Sequence, residues 1–235
     1  TIHGATYIGG TAAALDFNGT SSDYVDFATV NQIPIGNEPY TISIWFNSDE
    51  MPSTRGFIGW GAFGNTNEVN AWRLQNIGGT SGFVHYWWGN DLQYQTSMMT
   101  GTWYNAIAAY QDGSRKIYLN NVKVAEDTPS GHNVPYATNL KVGVSYPGFN
   151  EWFNGRIAQV IVYKRQATTA EINAIWNSGK NRFGYGGATG ATGATTGNYN
   201  LLNLYSPATS NGSITFPGSD NAASNNPNTV GLNPG

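Results

Sequence analysis

The stretch FNGRIAQVIVYKRQATTAEINAIW, residues Phe153 to Trp176, contains the clearest structural signals in the chain. Its first half begins with the turn pair Asn154-Gly155 and continues into Ile157–Tyr163, a run rich in β-branched and aromatic residues. Such residues favour strands because they pack well on a pleated surface. The first half therefore predicts a core strand.

In the second half, the spacing of the apolar residues changes to that of a helix. Thr168 lies three residues before Glu171, which is the spacing of a capping box. The apolar residues of one helical face follow at the i, i+3, i+4 spacing: Ile172, Ile175 and Trp176. Gly179 and Lys180 are residue types that favour a helix end. The pattern predicts one short helix at about residues 169–178.

This strand and helix resemble the end of a laminin-G-like, concanavalin A-like domain, in which a Phe-x-Gly-x-Ile strand precedes a short helix. Earlier segments resemble the other core strands of that family in the same order: Ala14–Phe27, Tyr40–Phe46, Gly101–Tyr110 and Lys116–Val122. The resemblance covers about residues 10–180. It implies an all-β jelly-roll sandwich of two antiparallel sheets, with one short C-terminal helix and an extended Gly/Asn/Ser-rich tail. The fold alone does not define a function, because lectins, adhesion modules, virion proteins and glycoside hydrolases share it.

The composition agrees with an all-β domain. Charged residues make up 11% of the 235 residues, and the chain has 30 Gly, 8 Trp and 14 Tyr, which suits short strands and tight turns. The formal charge of −3 provides no basic surface for nucleic acid. No apolar run is long enough for a membrane-spanning helix. Because the chain has no Cys, disulfides and thiolate metal sites are excluded.

The composition changes after Phe183, which predicts three parts in the chain. Residues 1–183 form the laminin-G-like domain, residues 184–198 a Gly/Ala/Thr linker, and residues 199–235 an extended tail. Residues 184–235 contain one charged residue, Asp220, and too few apolar residues to fold alone. We expect the tail to pack on its own or a neighbouring subunit, either paired with a sheet edge or lying in a groove. The candidate assembly residues are Tyr199, Leu201, Leu202, Leu204, Tyr205, Ile214 and Phe216.

The segment from Phe57 to Trp88 contains more aromatic residues than a core needs. Period-two alternation places Phe83, His85 and Trp87 on one face of a strand and Val84, Tyr86 and Trp88 on the other. Rings on a concave sheet can stack on sugars. The glycan-binding candidates from this region are Trp72, His85, Trp87, Trp88 and Tyr94, with Arg73, Gln75 and Gln95 as polar neighbours. The alternative is that Trp87 and Trp88 fill opposite sides of the sandwich.

A second candidate glycan site is the segment Tyr146–Phe153, which precedes the last core strand. It adds Tyr146, Asn150, Glu151 and Trp152 to the glycan-binding candidates. Loops of this kind often carry binding residues. The alternative is that Phe149 and Phe153 close the end of the sandwich. Sugar binding would require Trp152, and one of Trp87 or Trp88, to be exposed.

Catalysis is not predicted, and we assign no catalytic residue. Hydrolases of this fold often place carboxylates at alternate positions of one strand, as Glu-x-Asp-x-(x)-Glu, and this chain has no such run. Many relatives hold a structural calcium with an acidic pair after Phe-x-Gly-x-Ile. Ala158 and Gln159 occupy those positions here, so we assign no metal ligand and no cofactor. Asp16, Asp23 and Asp26 remain as an alternative calcium set, and as ordinary turn residues.

These observations predict a non-catalytic structural or adhesion protein, namely a subunit or decoration protein of a virion, fibre or extracellular assembly that also recognises glycans. A stand-alone lectin is the first alternative and a glycoside hydrolase of the same fold is the second. The expected partners are surface glycans and copies of the chain or other subunits, bound through the tail. We expect neither nucleic acid binding nor membrane insertion, and an extracellular or virion-surface location.

Overall fold

The computed structural model describes residues 1–9, 12–27 and 33–185, together with the backbone of residues 200–205 and 211–215. These residues form sixteen strands, one α-helix and a short 3-10 turn, Pro147–Phe149. The first eight strands are β1 Ile2–His3, β2 Thr6–Ile8, β3 Ala14–Asn18, β4 Tyr24–Asp26, β5 Tyr40–Ser48, β6 Arg55–Gly61, β7 Val69–Ile77 and β8 Thr80–Tyr86. The others are β9 Leu92–Gln95, β10 Trp103–Gln111, β11 Ser114–Leu119, β12 Val122–Asp127, β13 Lys141–Val142, β14 Asn154–Tyr163, β15 Asn200–Tyr205 and β16 Asn211–Thr215.

The strands form two sheets. The front sheet has seven antiparallel strands in the order β1, β4, β13, β6, β7, β8, β9. The back sheet has nine, with the main order β12, β11, β10, β5, β14, β15, β16 and with β2 and β3 beside the start of β14. Its pairs are antiparallel except for β14 and β15, which run parallel. This architecture confirms the predicted jelly-roll sandwich.

The core lies between the two sheets, and β5 shows how the sequence builds it. Alternate residues Ile42, Ile44 and Phe46 enter the inter-sheet cluster, whereas Trp45 points to the outer face of the back sheet. The front sheet contributes large rings to the same core, including those of Trp60, Trp72 and Phe83. Both faces of β5 are therefore buried, one by the other sheet and one by the chain after β14.

The predicted helix is confirmed as α1, Thr169–Gly179. The Thr168 side chain accepts a hydrogen bond from the Glu171 backbone N–H, and the Glu171 carboxylate accepts one from the Thr168 N–H, as a capping box requires. Ile172 and Ile175 pack on the outer face of the back sheet. Gly179 was expected to serve only as a helix end, but it also allows close packing, because a Cβ there would overlap the Trp45 ring.

The described parts of the tail lie at the side of the back sheet. The backbone of Asn200–Tyr205 pairs with residues 160–163 of β14, and β16 pairs with β15. The start of β14 is occupied by β3 instead, through residues 154–157. Among the described residues, α1 is the single α-helix, and its 11 residues are too few to cross a membrane.

Candidate functional site

Strand β8 places aromatic side chains on both faces of the front sheet. Phe83 and Trp87 belong to the inter-sheet core, whereas Val84, Tyr86 and Trp88 belong to a separate cluster on the outer face. This is the alternation expected from the sequence. The outer face of the front sheet is therefore the place to look for accessible rings.

The segment Val144–Trp152 crosses this outer face and is held at both ends. Val144 and Trp152 form an isolated antiparallel bridge, and the Gly56 N–H donates a hydrogen bond to the Glu151 carbonyl oxygen at 2.7 Å. Glycine is needed on β6 at this crossing, because a Cβ at Gly56 would overlap the backbone nitrogen of Ser145. The segment is thus fixed directly against the sheet.

The segment brings its rings onto those of the sheet and builds what we call the aromatic platform, which consists of Phe63, Tyr86, Trp88, Tyr146 and Phe149. Trp88 stacks on Phe149 with ring centroids 5.4 Å apart and planes 15° apart. Tyr146 stacks on Phe63 at 4.5 Å and 12°. The Phe149 side chain is 55% exposed, and Trp88, Tyr146 and Phe63 are half-buried. The platform joins the two predicted glycan regions into one surface.

Trp88 has an unusual backbone conformation. Its φ is +62°, in the left-handed region, and Gly89 follows with φ +96°. A bulky residue in this region costs of order 1–3 kcal/mol, and such residues concentrate at binding and active sites. The strain at Trp88 therefore marks this ring as a functional candidate.

A buried ion pair lies under the platform. Arg73 Nη1 is 2.5 Å from Glu151 Oε1, Arg73 Nη2 donates to Gln75 Oε1 at 3.0 Å, and the guanidinium carbon lies 3.9 Å from the Tyr86 ring centroid. The Ser145 hydroxyl also donates to the Glu151 carboxylate. Burial raises the pKa of Tyr86 to about 12, although Arg73 opposes the shift. This pair ties the crossing segment to β7 and so positions Tyr146 and Phe149.

The platform is bordered by polar side chains from two other loops. Thr66 is exposed, and its hydroxyl oxygen lies 3.6 Å from the position that a Cβ on Gly89 would occupy. Asn90 donates from its side-chain amide to Asn67 Oδ1 at 2.8 Å. Asp91 Oδ1 accepts the Trp87 backbone N–H at 2.7 Å, and burial raises the pKa of Asp91. Ring faces beside amides and hydroxyls form a surface suited to a sugar.

Three predicted glycan residues lie inside the sandwich instead. Trp72, His85 and Trp87 are fully buried between the sheets, so the glycan-binding prediction is wrong for them. Tyr40 explains part of this placement, because its hydroxyl lies 2.6 Å from His85 Nε2 and accepts the Trp87 indole N–H at 2.9 Å. For Trp87, the alternative interpretation as a core residue is correct.

The same interior network contains two histidines. His132 stacks on Trp87 at 3.7 Å, and its Nδ1 contacts the Asn67 carbonyl oxygen at 3.0 Å. Burial lowers the pKa of His132 to about 3 and lowers that of His85 well below its ordinary value. Both are therefore neutral structural groups at pH 7.

The remaining glycan-binding candidates differ in burial and in the face on which they lie. Trp152 is 6% exposed and packs against Tyr24 at 5.7 Å, so it fails the exposure that sugar binding would require and the glycan-binding prediction is wrong for this residue. Tyr94 is half-buried and packs against the inter-sheet core, on the opposite face from the platform. Asn150 is exposed beside Phe149. Glu151 is buried in the ion pair described above.

The structure describes the predicted assembly residues only in part. The assembly candidates Tyr199 and Phe216 lie outside the described residues, as do the side chains of Leu201, Leu202, Leu204, Tyr205 and Ile214. Tyr185, which we assigned to the linker, packs against Trp45 and Trp176.

The three acids considered for calcium all have protein partners. Asp16 pairs with Arg156 and Asp26 with Lys141. Asp23 is buried and accepts the Asn18 backbone N–H at 2.8 Å. In the described part of the chain, no group of three or more His, Cys, Asp or Glu side chains lies where it could hold a metal ion.

Sequence reasoning missed two members of the platform and assigned a third to another role. Phe63 and Tyr86 were not singled out as binding candidates, and Phe149 was considered only as a plug. Two features could have pointed to them: the alternation that places Tyr86 with Trp88, and the glycines Gly56 and Gly59, which indicate that another chain segment crosses β6.

Comparison with known proteins agrees with this architecture. A sequence profile of the concanavalin A-like lectin/glucanases superfamily matches residues 18–173. No curated protein matches the chain. Among solved structures, domain 4 of AbnA, a GH43 extracellular arabinanase from Geobacillus stearothermophilus in complex with arabinotriose, is similar with 19% identity and a TM-score of 0.52, over 72% of this chain and 79% of that one.

Two toxin binding domains are also similar. The binding domain of Paraclostridial Mosquitocidal Protein 1 has 12% identity and a TM-score of 0.56, over 77% of this chain and 47% of that one. The binding domain of botulinum neurotoxin serotype G has 7% identity and a TM-score of 0.56, over 76% and 46%. This chain thus spans about half the length of either toxin domain. At these identities, the similarities establish the fold and no ligand.

Proposed function

The chain belongs to the concanavalin A-like lectin/glucanase superfamily, and we propose that it is a non-catalytic carbohydrate-binding protein whose site is the aromatic platform. The observation that carries the proposal is the exposed Phe149 ring stacked on the strained Trp88. Contiguous exposed aromatic surfaces and bulky residues at positive φ both concentrate at binding sites. The arabinanase domain, solved with arabinotriose, shares the fold, which is compatible with this role.

The carboxylates near the platform favour binding over catalysis. Glycoside hydrolysis requires one proton-donating acid and one free carboxylate. Glu151 is neutralised by Arg73 and also accepts the Ser145 hydroxyl, Asp91 accepts the Trp87 N–H, and Glu68 accepts the Asn65 side-chain amide. All three carboxylates thus have protein hydrogen-bond partners, which favours binding over attack on a sugar or activation of water.

We further propose that the protein acts outside the cell or on a virion surface, as a subunit or decoration protein of a larger assembly. Residues 1–185 would form the binding domain, and the tail would hold it in place. The parallel pairing of β15 with residues 160–163 of β14 supports this, because that edge accepts an added strand. A stand-alone lectin would use the platform in the same way, without the assembly.

A glycan array tests the binding site. We expect the wild-type protein to bind a subset of oligosaccharides and Phe149→Ala to bind them at least about tenfold more weakly, because a ring that anchors a ligand is typically worth about 2 kcal/mol. Tyr136→Ala removes another exposed ring, outside the platform, and serves as the matched control. Equal binding by wild type and Phe149→Ala would rule out the platform as the site.

Light scattering tests the role of the tail. We expect the full chain to form an assembly and the chain truncated after Tyr185 to be a monomer. The truncation must spare Phe183 and Tyr185, because both pack on Trp45. An unchanged number of subunits per particle after truncation would show that the tail does not hold the assembly together.

A further inference from the structure

Three loops border the aromatic platform: Ala62–Glu68, Trp87–Asp91 and Val144–Trp152. Hydrogen bonds and ring contacts join them, including one from the Asn67 N–H to the Trp87 carbonyl oxygen at 2.7 Å and the stacking of Phe63 on Tyr146. Together they contain three acidic residues and neither Lys nor Arg. A ligand on the platform therefore meets a border that carries no positive side chain of its own.

Arg73 is the cation in contact with a platform ring. Both of its terminal nitrogens are engaged, and its Nε, which has no hydrogen-bond partner among the described residues, is buried. One terminal nitrogen pairs with Glu151, the other donates to Gln75, and the planar face covers Tyr86. The residue is buried, 8% exposed. A sugar carboxylate would have to break this pair and leave Glu151 buried without its counter-charge, which is strongly unfavourable.

Two other basic residues that contact aromatic rings of the front sheet are also engaged. Arg115, on β11 of the back sheet, lies against Trp87, is fully buried and makes two hydrogen bonds to the Asp127 carboxylate. Lys141 pairs with Asp26 at 2.9 Å and lies over the Tyr24 ring. Neither guanidinium nor ammonium is available to an acidic sugar on the platform.

The border does offer uncharged hydrogen-bonding groups. Thr66 and Asn150 are exposed, and Asn67 and Asn90 are half-buried beside them. Hydroxyl and amide groups can donate to and accept from sugar hydroxyls. The two carboxylates without a cationic partner in this border, Glu68 and Asp91, add negative charge.

From this charge pattern we infer that the aromatic platform recognises uncharged glycans and discriminates against those that carry carboxylate or sulfate groups. The inference rests on the proposed glycan-binding function and specifies its ligand class. Stacking on Phe149 and Trp88 provides contact with a sugar face, the amides and hydroxyls bind its hydroxyls, and the border repels an anion.

The test uses an array that carries each oligosaccharide as a matched pair, with and without a terminal carboxylated sugar. We expect the full chain to bind the neutral member about fivefold more tightly at low ionic strength, as estimated for two uncompensated carboxylates about 8 Å away. Added salt should shrink this ratio, because it screens charges near the surface.

A charge-introducing pair of variants separates local from general electrostatics. Thr66→Lys places a cation at the border, whereas Thr100→Lys makes the same change at the other end of β5. The two positions lie near opposite ends of β5: Trp87, in the border, is hydrogen-bonded to Tyr40 at its start, and Gly101, next to Thr100, is hydrogen-bonded to Ser48 at its end. Nine residues of extended strand place these two ends about 26 Å apart. We expect Thr66→Lys to shift the acidic-to-neutral affinity ratio at least about twofold towards the acidic glycan and Thr100→Lys to leave it unchanged.

The outcomes distinguish this inference from the proposed function. Equal or tighter binding of the acidic glycans overturns the inference and leaves glycan binding intact. An equal effect of the two lysine variants also overturns it, because the discrimination would then not arise at the platform. Binding of neither glycan class removes the proposed function and the inference together.

Discussion

Each sheet of the sandwich carries a cluster of stacked aromatic rings on its outer face, and the two clusters differ in what covers them. On the back sheet, Trp45 stacks on Trp176 at 5.3 Å and on Phe183 at 4.5 Å, with Trp103 and Tyr185 beside them. We call these five residues the back cluster. The helix and the residues after it cover Trp45 completely, whereas the platform on the front sheet leaves Phe149 more than half exposed.

The difference shows that stacked rings alone do not identify a binding surface. The back cluster has ring distances as short as those of the platform, yet its rings attach α1 to the sheet. What distinguishes the platform is an outermost ring that is 55% exposed, against 37% for Tyr185 in the back cluster, together with a strained backbone at Trp88 and a polar border. We therefore expect substitutions in the back cluster to change stability and substitutions in the platform to change binding.

Removal of the central ring of the back cluster should have the largest effect on stability. Trp45→Ala deletes a fully buried side chain of β5 that packs against α1, and such deletions reduce the free energy of unfolding by about 3–5 kcal/mol. Urea unfolding followed by circular dichroism measures this loss. Glycan affinity of the folded protein should stay unchanged. A cost below about 1 kcal/mol would contradict the structural role of the back cluster.

The pH dependence of the free energy of unfolding tests whether the two sheets, with their outer clusters, unfold together. The pKa of His132 is lowered from 6.5 to about 3 in the folded protein, so below pH 6.5 the unfolded chain binds more protons. Stability therefore falls as the pH falls, by about 2 kcal/mol between pH 7 and pH 5 for this group. His85 shifts in the same direction.

The measurement is the free energy of unfolding at several pH values. His132→Gln removes one of the two titrating groups and should reduce the dependence by the share of His132, whatever its effect at pH 7. Probes on the two faces should report the same transition, because the histidines lie in the core that the sheets share. A stability independent of pH between 7 and 5 would show that His132 does not remain neutral in the folded state.

Two glycines offer a matched comparison of the clusters. A Cβ at Gly179 would overlap the buried Trp45 ring, whereas a Cβ at Gly148 would lie 2.7 Å from the Tyr146 ring, which is half-buried. Overpacking a rigid site costs about 1–3 kcal/mol. We expect that cost for Gly179→Ala and less than about 1 kcal/mol for Gly148→Ala, because Tyr146 has room to move. Thermal unfolding of both variants measures the difference, and equal costs would contradict it.

The sequence was sufficient to predict the fold where local chemistry decides the structure. The capping box at Thr168 and the β-branched run Ile157–Tyr163 each produced the expected element, because hydrogen bonding and strand propensity act over a few residues. The close approach of Gly179 to Trp45 was not predictable, since the two residues are far apart in sequence.

The candidate site was predicted only in part. Alternation separated Trp87 from Trp88 correctly, but it did not show which residue faces the core, since the crossing segment also buries much of the outer face. Trp152 resembled a loop residue in the sequence, yet its bridge to Val144 and its contact with Tyr24 on β4 bury it. Tertiary placement of this segment decides which rings are exposed, and a single sequence does not encode that placement in any short pattern.

The smallest expected effect on stability belongs to the residue with the largest expected effect on binding. Phe149→Ala removes a ring that is 55% exposed, and substitutions of this kind usually change the free energy of unfolding by less than about 0.5 kcal/mol. Urea unfolding of this variant beside Trp45→Ala provides the direct comparison of the two faces. A stability loss above about 1.5 kcal/mol would mean that Phe149 holds the crossing segment in place, and the platform would then resemble the back cluster in its role.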